Sequence, residues 1–134
     1  MHIRSTSERP TKVAAAENFT GQVFLDGLVA AEPPSRLNAT LVAFAPGART
    51  SWHRHGFRQI LFATVGSGFV QVKGESAHEL HPGDVAIIPP DTVHWHGAAR
   101  DSLFTHLALL ESEGEGTTWL QHVSDEDYDA VYRA

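Results

Sequence analysis

Short apolar runs alternate with turn-forming residues along most of this chain, and this pattern predicts strands rather than helices. Separators such as Ala45-Pro46-Gly47 and His81-Pro82-Gly83 have the chemistry of tight turns. Many short strands with closely spaced turns indicate an all-β sandwich or barrel. The predicted strands are Gln22–Leu25, Leu37–Phe44, Thr50–His55, Gln59–Val65, Gly68–Lys73, Ala77–Leu80, Asp84–Ile88, Thr92–His96 and Leu103–Leu110.

The two ends of the chain depart from this strand pattern. Residues 1–18 are polar and have no clear period, so we expect an irregular arm. Near the other end, Ser124 precedes three acidic residues, which predicts an N-cap and the first turn of a short helix through Tyr132. We therefore predict a single domain that consists of an N-terminal arm (1–18), a barrel (19–112) and a C-terminal segment (113–134).

Size, charge and composition exclude several classes of function. The 134 residues are enough for one domain with a sizeable core. A net charge of -6 with only 10 scattered Lys and Arg argues against nucleic-acid binding. The sequence has no apolar run long enough to span a membrane and no secretory signal at its start. It also has no cysteine, which excludes thiolate chemistry. We expect a cytoplasmic protein that has no membrane or nucleic-acid partner and acts on a small molecule.

Histidine supplies the candidate chemistry, since the chain has nine and four of them lie in two short clusters. These are Trp52-His53-Arg54-His55 and His94-Trp95-His96. Side chains alternate along a strand, so the two histidines of each cluster share a face, whereas Trp52 and Trp95 face away into packing or a dimer interface. Histidines from two facing strands, with the amide of Gln59, can bind one divalent cation. A surface or core pair is the alternative for either cluster alone.

The spacing around the first cluster resembles the first motif of the cupin family. Gly47 is followed after five residues by His53-x-His55, after three more by Gln59, and after six more by Gly66. Gln59 stands where the family usually has Glu. The resemblance implies a double-stranded β-helix, or jelly-roll, barrel with a short C-terminal helix appended here.

The second cluster lies in a segment that resembles the second cupin motif. Gly83 is followed after five residues by Pro89, and Asp91 precedes His94 by two intervening residues. Asp91 stands where Gly is usual, and Ala98 stands where Asn is usual. By this resemblance a divalent metal is bound by His53, His55, Gln59 and His94.

Longer segments resemble the small bacterial cupin hydroxynitrile lyases. This likeness implies a manganese-dependent, R-selective enzyme that cleaves cyanohydrins such as mandelonitrile to an aldehyde and hydrogen cyanide and also runs the reverse addition. The segments that carry it are Phe19-Thr20-Gly21, Pro46-Gly47-Ala48-Arg49-Thr50, His94-Trp95-His96-Gly97-Ala98-Ala99, Thr105-His106-Leu107-Ala108 and the stretch from Trp119 to Glu126.

The lyase resemblance also assigns catalytic roles. It implies His106 as the base, with His96 and the Thr50 hydroxyl as hydrogen-bond partners. Structural alternatives remain for each: His106 as a core histidine bonded to a carbonyl, His96 as an orienting residue, and Thr50 as an ordinary strand residue. The apolar part of the substrate pocket is expected from Phe44, Leu61, Phe104 and Leu110.

The neutral Gln59 bears on the type of chemistry. A shell without a carboxylate leaves the cation its full charge, which favours Lewis-acid chemistry over that of iron dioxygenases. Manganese is the implied metal, and iron, nickel or zinc also suit these ligands. The alternatives are a sugar-acid lyase or isomerase, for which Arg54 and Arg58 would attract a carboxylate, a dioxygenase, or a non-catalytic cupin that binds a metal or small molecule. We expect a homodimer or homotetramer in which the N-terminal arm takes part.

Overall fold

The computed structural model describes residues 1–112 and 116–133, and strands dominate these two ranges. A 3-10 turn at Thr6–Glu8 precedes the first strand, and one helix, α1 (Asp125–Ala130), follows the last. The strands are β1 (Thr11–Val13), β2 (Phe19–Thr20), β3 (Val23–Val29), β4 (Leu37–Phe44), β5 (Arg49–Thr50), β6 (His53–Arg54), β7 (Gln59–Gly66), β8 (Gly68–Val72), β9 (His78–Leu80), β10 (Val85–Ile88), β11 (His94–Ala98), β12 (Phe104–Glu111) and β13 (Thr118–Trp119).

Two antiparallel sheets form the barrel, which confirms the all-β prediction. The first sheet has six strands in the order β1-β3-β4-β12-β7-β10. The second has the order β13-β6-β11-β5-β2, with β8 also paired to β11 and β9 paired to β8. Buried aliphatic and aromatic residues from both sheets, including Val42, Leu61 and Val70, form the main core between them.

The outer side of the second sheet carries a second core. Trp52 and Trp95 face away from the histidines, as predicted, and pack with Phe69, Val123 and Tyr128. The Tyr128 hydroxyl donates to the Ala98 carbonyl at 2.7 Å, which ties helix α1 to strand β11. The C-terminal segment therefore covers this outer face.

A buried arginine also holds the C-terminal segment against the second sheet. Arg49 is 5% exposed and donates to the Val123 carbonyl at 2.9 Å and to the Asp125 carboxylate at 2.8 Å. Its guanidinium lies 4.5 Å from the centre of the Tyr128 ring. Burial of this charge is tolerated because its hydrogen bonds are largely satisfied.

The chain ends differ in part from the expectation. The arm is not wholly irregular, because Thr11–Val13 forms β1 against β3. All three of its side chains are exposed, so this edge strand depends on backbone hydrogen bonds and leaves no apolar pattern in the sequence. At the other end Ser124 caps α1 through the Asp127 amide at 3.0 Å, as predicted, but the helix ends at Ala130 instead of Tyr132. In the described part of the chain, no helix is long and apolar enough to cross a membrane.

The predicted strand Thr50–His55 is broken into β5 and β6. Both pair with β11, through Gly97 opposite Arg49 and through His94 opposite His53. Between them the Ser51 backbone amide donates a hydrogen bond to the Asn18 carbonyl, and the Trp52 amide donates to the Gln121 carbonyl. This interruption lets two distant parts of the chain hydrogen-bond to the segment that leads into the first histidine cluster.

Candidate metal centre

The histidine clusters meet at a cavity of about 360 Å³ between the two sheets. Most of the residues predicted for the site line it: Thr50, His53, His55, Gln59, His96 and His106. His94 is not part of the lining, but it is fully buried beside these residues. The structure thus brings all seven predicted site residues to one place.

Strand register explains how the ligand candidates come together. His94 on β11 lies directly opposite His53 on β6, and their ring centres are 4.3 Å apart. Gln59 begins β7 in the other sheet. The turn before β11 is fixed by Asp91, whose amide donates to the His55 carbonyl at 2.7 Å. Asp91 has a φ of 56° and occupies the left-handed region, which aspartate tolerates better than most residues, so it can stand where the motif usually has Gly.

Backbone carbonyls fix the tautomers of two histidines. His53 Nδ1 lies 2.8 Å from the Ser51 carbonyl oxygen, and His94 Nδ1 lies 2.7 Å from the Thr92 carbonyl oxygen. A carbonyl can only accept a hydrogen bond, so each Nδ1 carries the proton and each neutral ring has its lone pair on Nε2. A metal-binding histidine is usually held in this way, by a hydrogen bond from its other ring nitrogen to a carbonyl or carboxylate.

The contact between His94 and Gln59 places two acceptors face to face. His94 Nε2 lies 3.2 Å from Gln59 Oε1, and neither atom carries a proton in this arrangement. Two arrangements would relieve this contact. Rotation of the Gln59 amide would let its NH2 group donate to His94 Nε2, or a cation bound by both His94 Nε2 and Gln59 Oε1 would lie between them. The second arrangement is the one expected of two ligands of one metal.

Further histidine nitrogens lack partners at the same cavity. His55 Nδ1 is 3.1 Å from the Thr117 hydroxyl, and its Nε2 is buried without a hydrogen-bonding partner among residues 1–112 and 116–133. The Nε2 of His96 is likewise buried without a hydrogen-bonding partner in these ranges. One ring nitrogen from each of His53, His94 and His96 lies within 4.8 Å of the others. His96 therefore belongs to this nitrogen cluster, whereas His55, which the motif spacing favours, does not.

His96 and His106 form a hydrogen-bonded pair beside these ligand candidates. His106 Nε2 lies 2.9 Å from His96 Nδ1, and His106 Nδ1 is buried without a partner in the described ranges. The Phe44 ring packs on both imidazoles, with ring centres at 6.0 Å and 5.4 Å. Thr50 Oγ1 accepts from the His96 amide at 3.2 Å, which leaves its hydroxyl proton free to point into the cavity.

Burial keeps the histidines of the site neutral. Desolvation lowers the pKa of His94 to about 4 and that of His106 to about 3. The pKa values of His53 and His96 also fall well below the ordinary value, first through burial and then through their histidine neighbours. Burial lowers the pKa of His55 as well, and the nearby Gln59 oxygen, which would accept a hydrogen bond from the protonated ring, partly opposes this shift. Neutral imidazoles with oriented, partnerless nitrogens fit a divalent metal, because a metal ligand must be unprotonated.

The apolar wall of the cavity differs from the expectation. Leu110 lines the cavity, but Phe44, Leu61 and Phe104 belong to the main core instead, because their inward side chains pack between the sheets. The sequence reasoning missed the actual wall, which is formed by Phe19, Leu25, Val42, Phe57, Ala108 and Trp119.

Two of the missed wall residues form an aromatic pair near the histidines. The Phe19 and Trp119 ring centres are 5.4 Å apart, and Trp119 also lies 4.9 Å from the His53 ring. They come from the short strands β2 and β13, which are too short to leave a periodic signal. Both residues do lie in segments that resemble the lyases, which is the signal that could have identified them.

Comparison with known families matches residues 40–107 to the cupin domain. The chain is a member of the cupin family. The match covers both motifs and every predicted ligand, together with His96 and His106. It also agrees with the two-sheet barrel described above.

Relatives of this cupin differ in what they are known to do. The chain is 41% identical over 129 residues to the (R)-mandelonitrile lyase of Granulicella tundricola, which covers 96% of this chain and 98% of the relative. It is 38% identical to a cupin-like protein from Thermotoga maritima, with a TM-score of 0.87, and the match covers 96% of this chain and 97% of that protein. A polyketide cyclase from Streptomyces resistomycificus shares the fold at 15% identity, with a TM-score of 0.75, and the match covers 98% of this chain and 93% of the cyclase. The fold alone therefore does not specify the reaction.

Loss of stability on acidification is the first prediction. The folded protein resists protonation of these histidines, so the unfolded chain binds more protons below about pH 6.5. The free energy of unfolding therefore falls as the pH decreases towards the lowered pKa values of the folded state. For metal-free protein we expect the free energy of unfolding, measured with urea, to drop by at least about 2 kcal/mol between pH 7 and pH 5.

Two variants control this measurement. His106→Phe removes one buried neutral imidazole and should reduce the drop by about 2 kcal/mol. His2→Gln changes an exposed histidine and should leave the drop unchanged. A stability that did not vary between pH 7 and pH 5 would contradict the assignment of neutral buried histidines.

Proposed function

We propose that this cupin is a metal-dependent lyase that cleaves (R)-cyanohydrins such as mandelonitrile to an aldehyde and hydrogen cyanide, and that it also runs the reverse addition. One juxtaposition carries the proposal: the ligand candidates and the His96–His106 pair lie on one cavity with a largely apolar wall. The 41% identical relative that is named (R)-mandelonitrile lyase supports it.

The metal would be held by His53, His55, Gln59 and His94. The carbonyl-bonded rings and the Gln59 oxygen support this set, and the motif spacing favours His55 over His96. Manganese is the metal we propose, following the lyase resemblance, while the Irving–Williams order favours later metals for the same ligands in vitro. The cation would supply positive charge for the anions that the reaction creates, undiminished by any ligand carboxylate.

The histidine pair would move the proton. In cyanohydrin cleavage the hydroxyl proton is lost, the carbon–cyanide bond breaks, and cyanide takes up a proton to leave as hydrogen cyanide. A pair joined through His106 Nε2 and His96 Nδ1 can accept a proton at one outer nitrogen and release one from the other. We assign acceptance of the hydroxyl proton to His106 and its return to cyanide to His96. Both rings are neutral at pH 7, so acceptance needs no prior deprotonation, and the relay from His106 to His96 means that neither buried ring has to keep a second proton.

The remaining cavity residues would orient the substrate. The Thr50 hydroxyl can donate to the substrate oxygen, since its own oxygen already accepts from the His96 amide. The aromatic pair Phe19 and Trp119, with Leu110, offers an apolar surface for the aryl or alkyl group. Exclusion of water at this wall would also strengthen the hydrogen bonds to the reacting groups.

Metal content distinguishes the two possible ligand sets. His94→Ala should abolish tight metal binding, and His55→Ala should weaken it at least about 10-fold, since each removes a ligand. His96→Ala should retain the metal, because His96 is assigned here to proton transfer beside His106 and not to the metal. Elemental analysis after purification would measure the metal, and His78→Ala at an exposed position is the matched control. Loss of metal from His96→Ala but not from His55→Ala would replace the proposed set with His53, His94 and His96.

The charge of residue 59 should set the balance between affinity and catalysis. Gln59→Glu adds a negative ligand, so we expect tighter metal binding and at least about 10-fold slower cyanohydrin cleavage, because the cation stabilises anions less well. Isothermal titration with manganese and a cyanide-release assay would measure the two effects. Gln22→Glu makes the same change at an exposed site and should alter neither. Faster cleavage by Gln59→Glu would contradict the role given to the neutral amide.

Cyanide release from mandelonitrile tests the function itself. Manganese-loaded protein should release cyanide faster from the R than from the S enantiomer. His106→Asn should reduce kcat by about 10²- to 10⁴-fold with metal content unchanged, since it removes the proton acceptor. His122→Asn, an exposed histidine, is the matched control. No cyanide release from a panel of cyanohydrins would overturn the proposal, and oxygen uptake with a diketone would indicate a dioxygenase.

A further inference from the structure

The segment that leads into strand β13 lies opposite the first histidine cluster. Strand pairing places Trp119 opposite His53, and the two ring centres are 4.9 Å apart. Two residues earlier Thr117 faces His55, and its hydroxyl oxygen is 3.1 Å from His55 Nδ1. Both Thr117 and Trp119 line the cavity, as the alternation of side chains along a strand requires. Each histidine of the cluster therefore has a partner in this distant segment.

The hydrogen-bonding partner of His55 differs in kind from those of the other histidine ligand candidates. Carbonyl oxygens, which can only accept, hold the Nδ1 protons of His53 and His94. A hydroxyl can accept or donate, so the Thr117 side chain satisfies His55 Nδ1 whether or not that nitrogen carries a proton. The position of the His55 proton, and with it the position of the free lone pair, is therefore not fixed by this contact.

His55 also has a distinct location among the four ligand candidates. Of these four it alone lines both the cavity between the sheets and a polar recess of about 400 Å³, to which Arg54, Asp91 and Thr118 contribute. Although buried, it is the most exposed of the four, and it lies outside the nitrogen cluster described above. His55 is therefore the ligand candidate best placed to join or leave a bound cation.

The charge at the centre selects between the two tautomers of His55. His53 and His94 present lone pairs there, and the Gln59 oxygen adds another acceptor 3.2 Å from His94 Nε2. The His55 ring centre is 5.0 Å from that of His53 and 5.7 Å from that of His94. Without a cation, a proton on His55 Nε2 provides a positive partner for these acceptors. A cation repels that proton and favours a lone pair in its place.

We propose that Thr117 is a positioning residue that lets His55 change its tautomer when metal binds. With a cation bound, the Thr117 hydroxyl accepts the Nδ1 proton of His55, which leaves the Nε2 lone pair for the cation. Without a cation, the hydroxyl donates to Nδ1 and the ring proton resides on Nε2. One proton leaves Nε2 and one is taken up at Nδ1 through solvent, so the ring is neutral in both states. The inference rests on the proposed ligand set, since it requires His55 as a ligand, and does not depend on cyanohydrin cleavage.

Metal affinity of variants at residue 117 gives the first test. Thr117→Val keeps the shape of the side chain but leaves the His55 Nδ1 proton without an acceptor, so the dissociation constant for manganese should rise about 10- to 100-fold. Thr117→Ser restores the hydroxyl and should bind manganese as wild type does. Thr118→Val makes the same change at the neighbouring exposed position and is the matched control. Isothermal titration of the full chain with manganese measures all four proteins.

The tautomer of His55 gives the second test, which a merely structural role of Thr117 would not affect. Zinc has a filled d shell and suits the same ligands, so NMR of nitrogen-labelled histidine can be measured on the zinc-bound protein. We expect the His55 proton on Nε2 in metal-free wild type and on Nδ1 in the zinc-bound form. His53 and His94 should keep their protons on Nδ1 in both states, because carbonyls hold them there.

The outcomes separate this inference from the proposed function. Equal manganese affinity of Thr117→Val and wild type, or a His55 proton already on Nδ1 in the metal-free protein, would refute the tautomer change alone. A His55 proton that stayed on Nε2 in the zinc-bound protein would remove His55 from the ligand set and refute both. Absence of cyanide release would leave the inference standing. Circular dichroism identifies variants that keep the fold, and the wild-type NMR result decides the case if Thr117→Val does not fold.

Discussion

The site depends on neutral imidazole rings that donate their Nδ1 protons to backbone carbonyls. The Ser51 and Thr92 carbonyls fix the protons of His53 and His94 on Nδ1, and burial prevents a second proton from binding. The remaining lone pairs, with the Gln59 oxygen, converge on a region that has acceptors and little to donate to them. Such an arrangement is unfavourable for a folded protein unless a cation completes it.

The barrel serves this site by joining two sheets at one cavity. Strands β6 and β11 of one sheet present His53 and His94, whereas β7 and β12 of the other present Gln59 and His106. The histidine ligand candidates and the candidate base therefore lie on different sheets. A substrate between them can contact both, which is the geometry that proton transfer next to a metal requires.

The same division shapes the outside of the molecule. The C-terminal segment covers the second sheet through Arg49, Val123 and Tyr128, so the strands that carry most histidines are packed on both sides. The first sheet keeps one open apolar face. Rigid packing behind the ligands favours a fixed donor geometry.

Local patterns in the sequence determined the strands with regular alternation, the cap at Ser124 and the metal-ligand candidates, because these depend on period, turn chemistry and fixed spacing. The short strands β1, β2 and β13 escaped prediction, since their pairing partners lie far away in sequence and their side chains carry no period. Tertiary structure alone grouped His96 with His53 and His94, placed Phe44 and Phe104 in the core, and brought Phe19 and Trp119 to the cavity. Which face a residue occupies, and what lies opposite it, depends on the register between strands, and that register is set by the packing of the whole barrel.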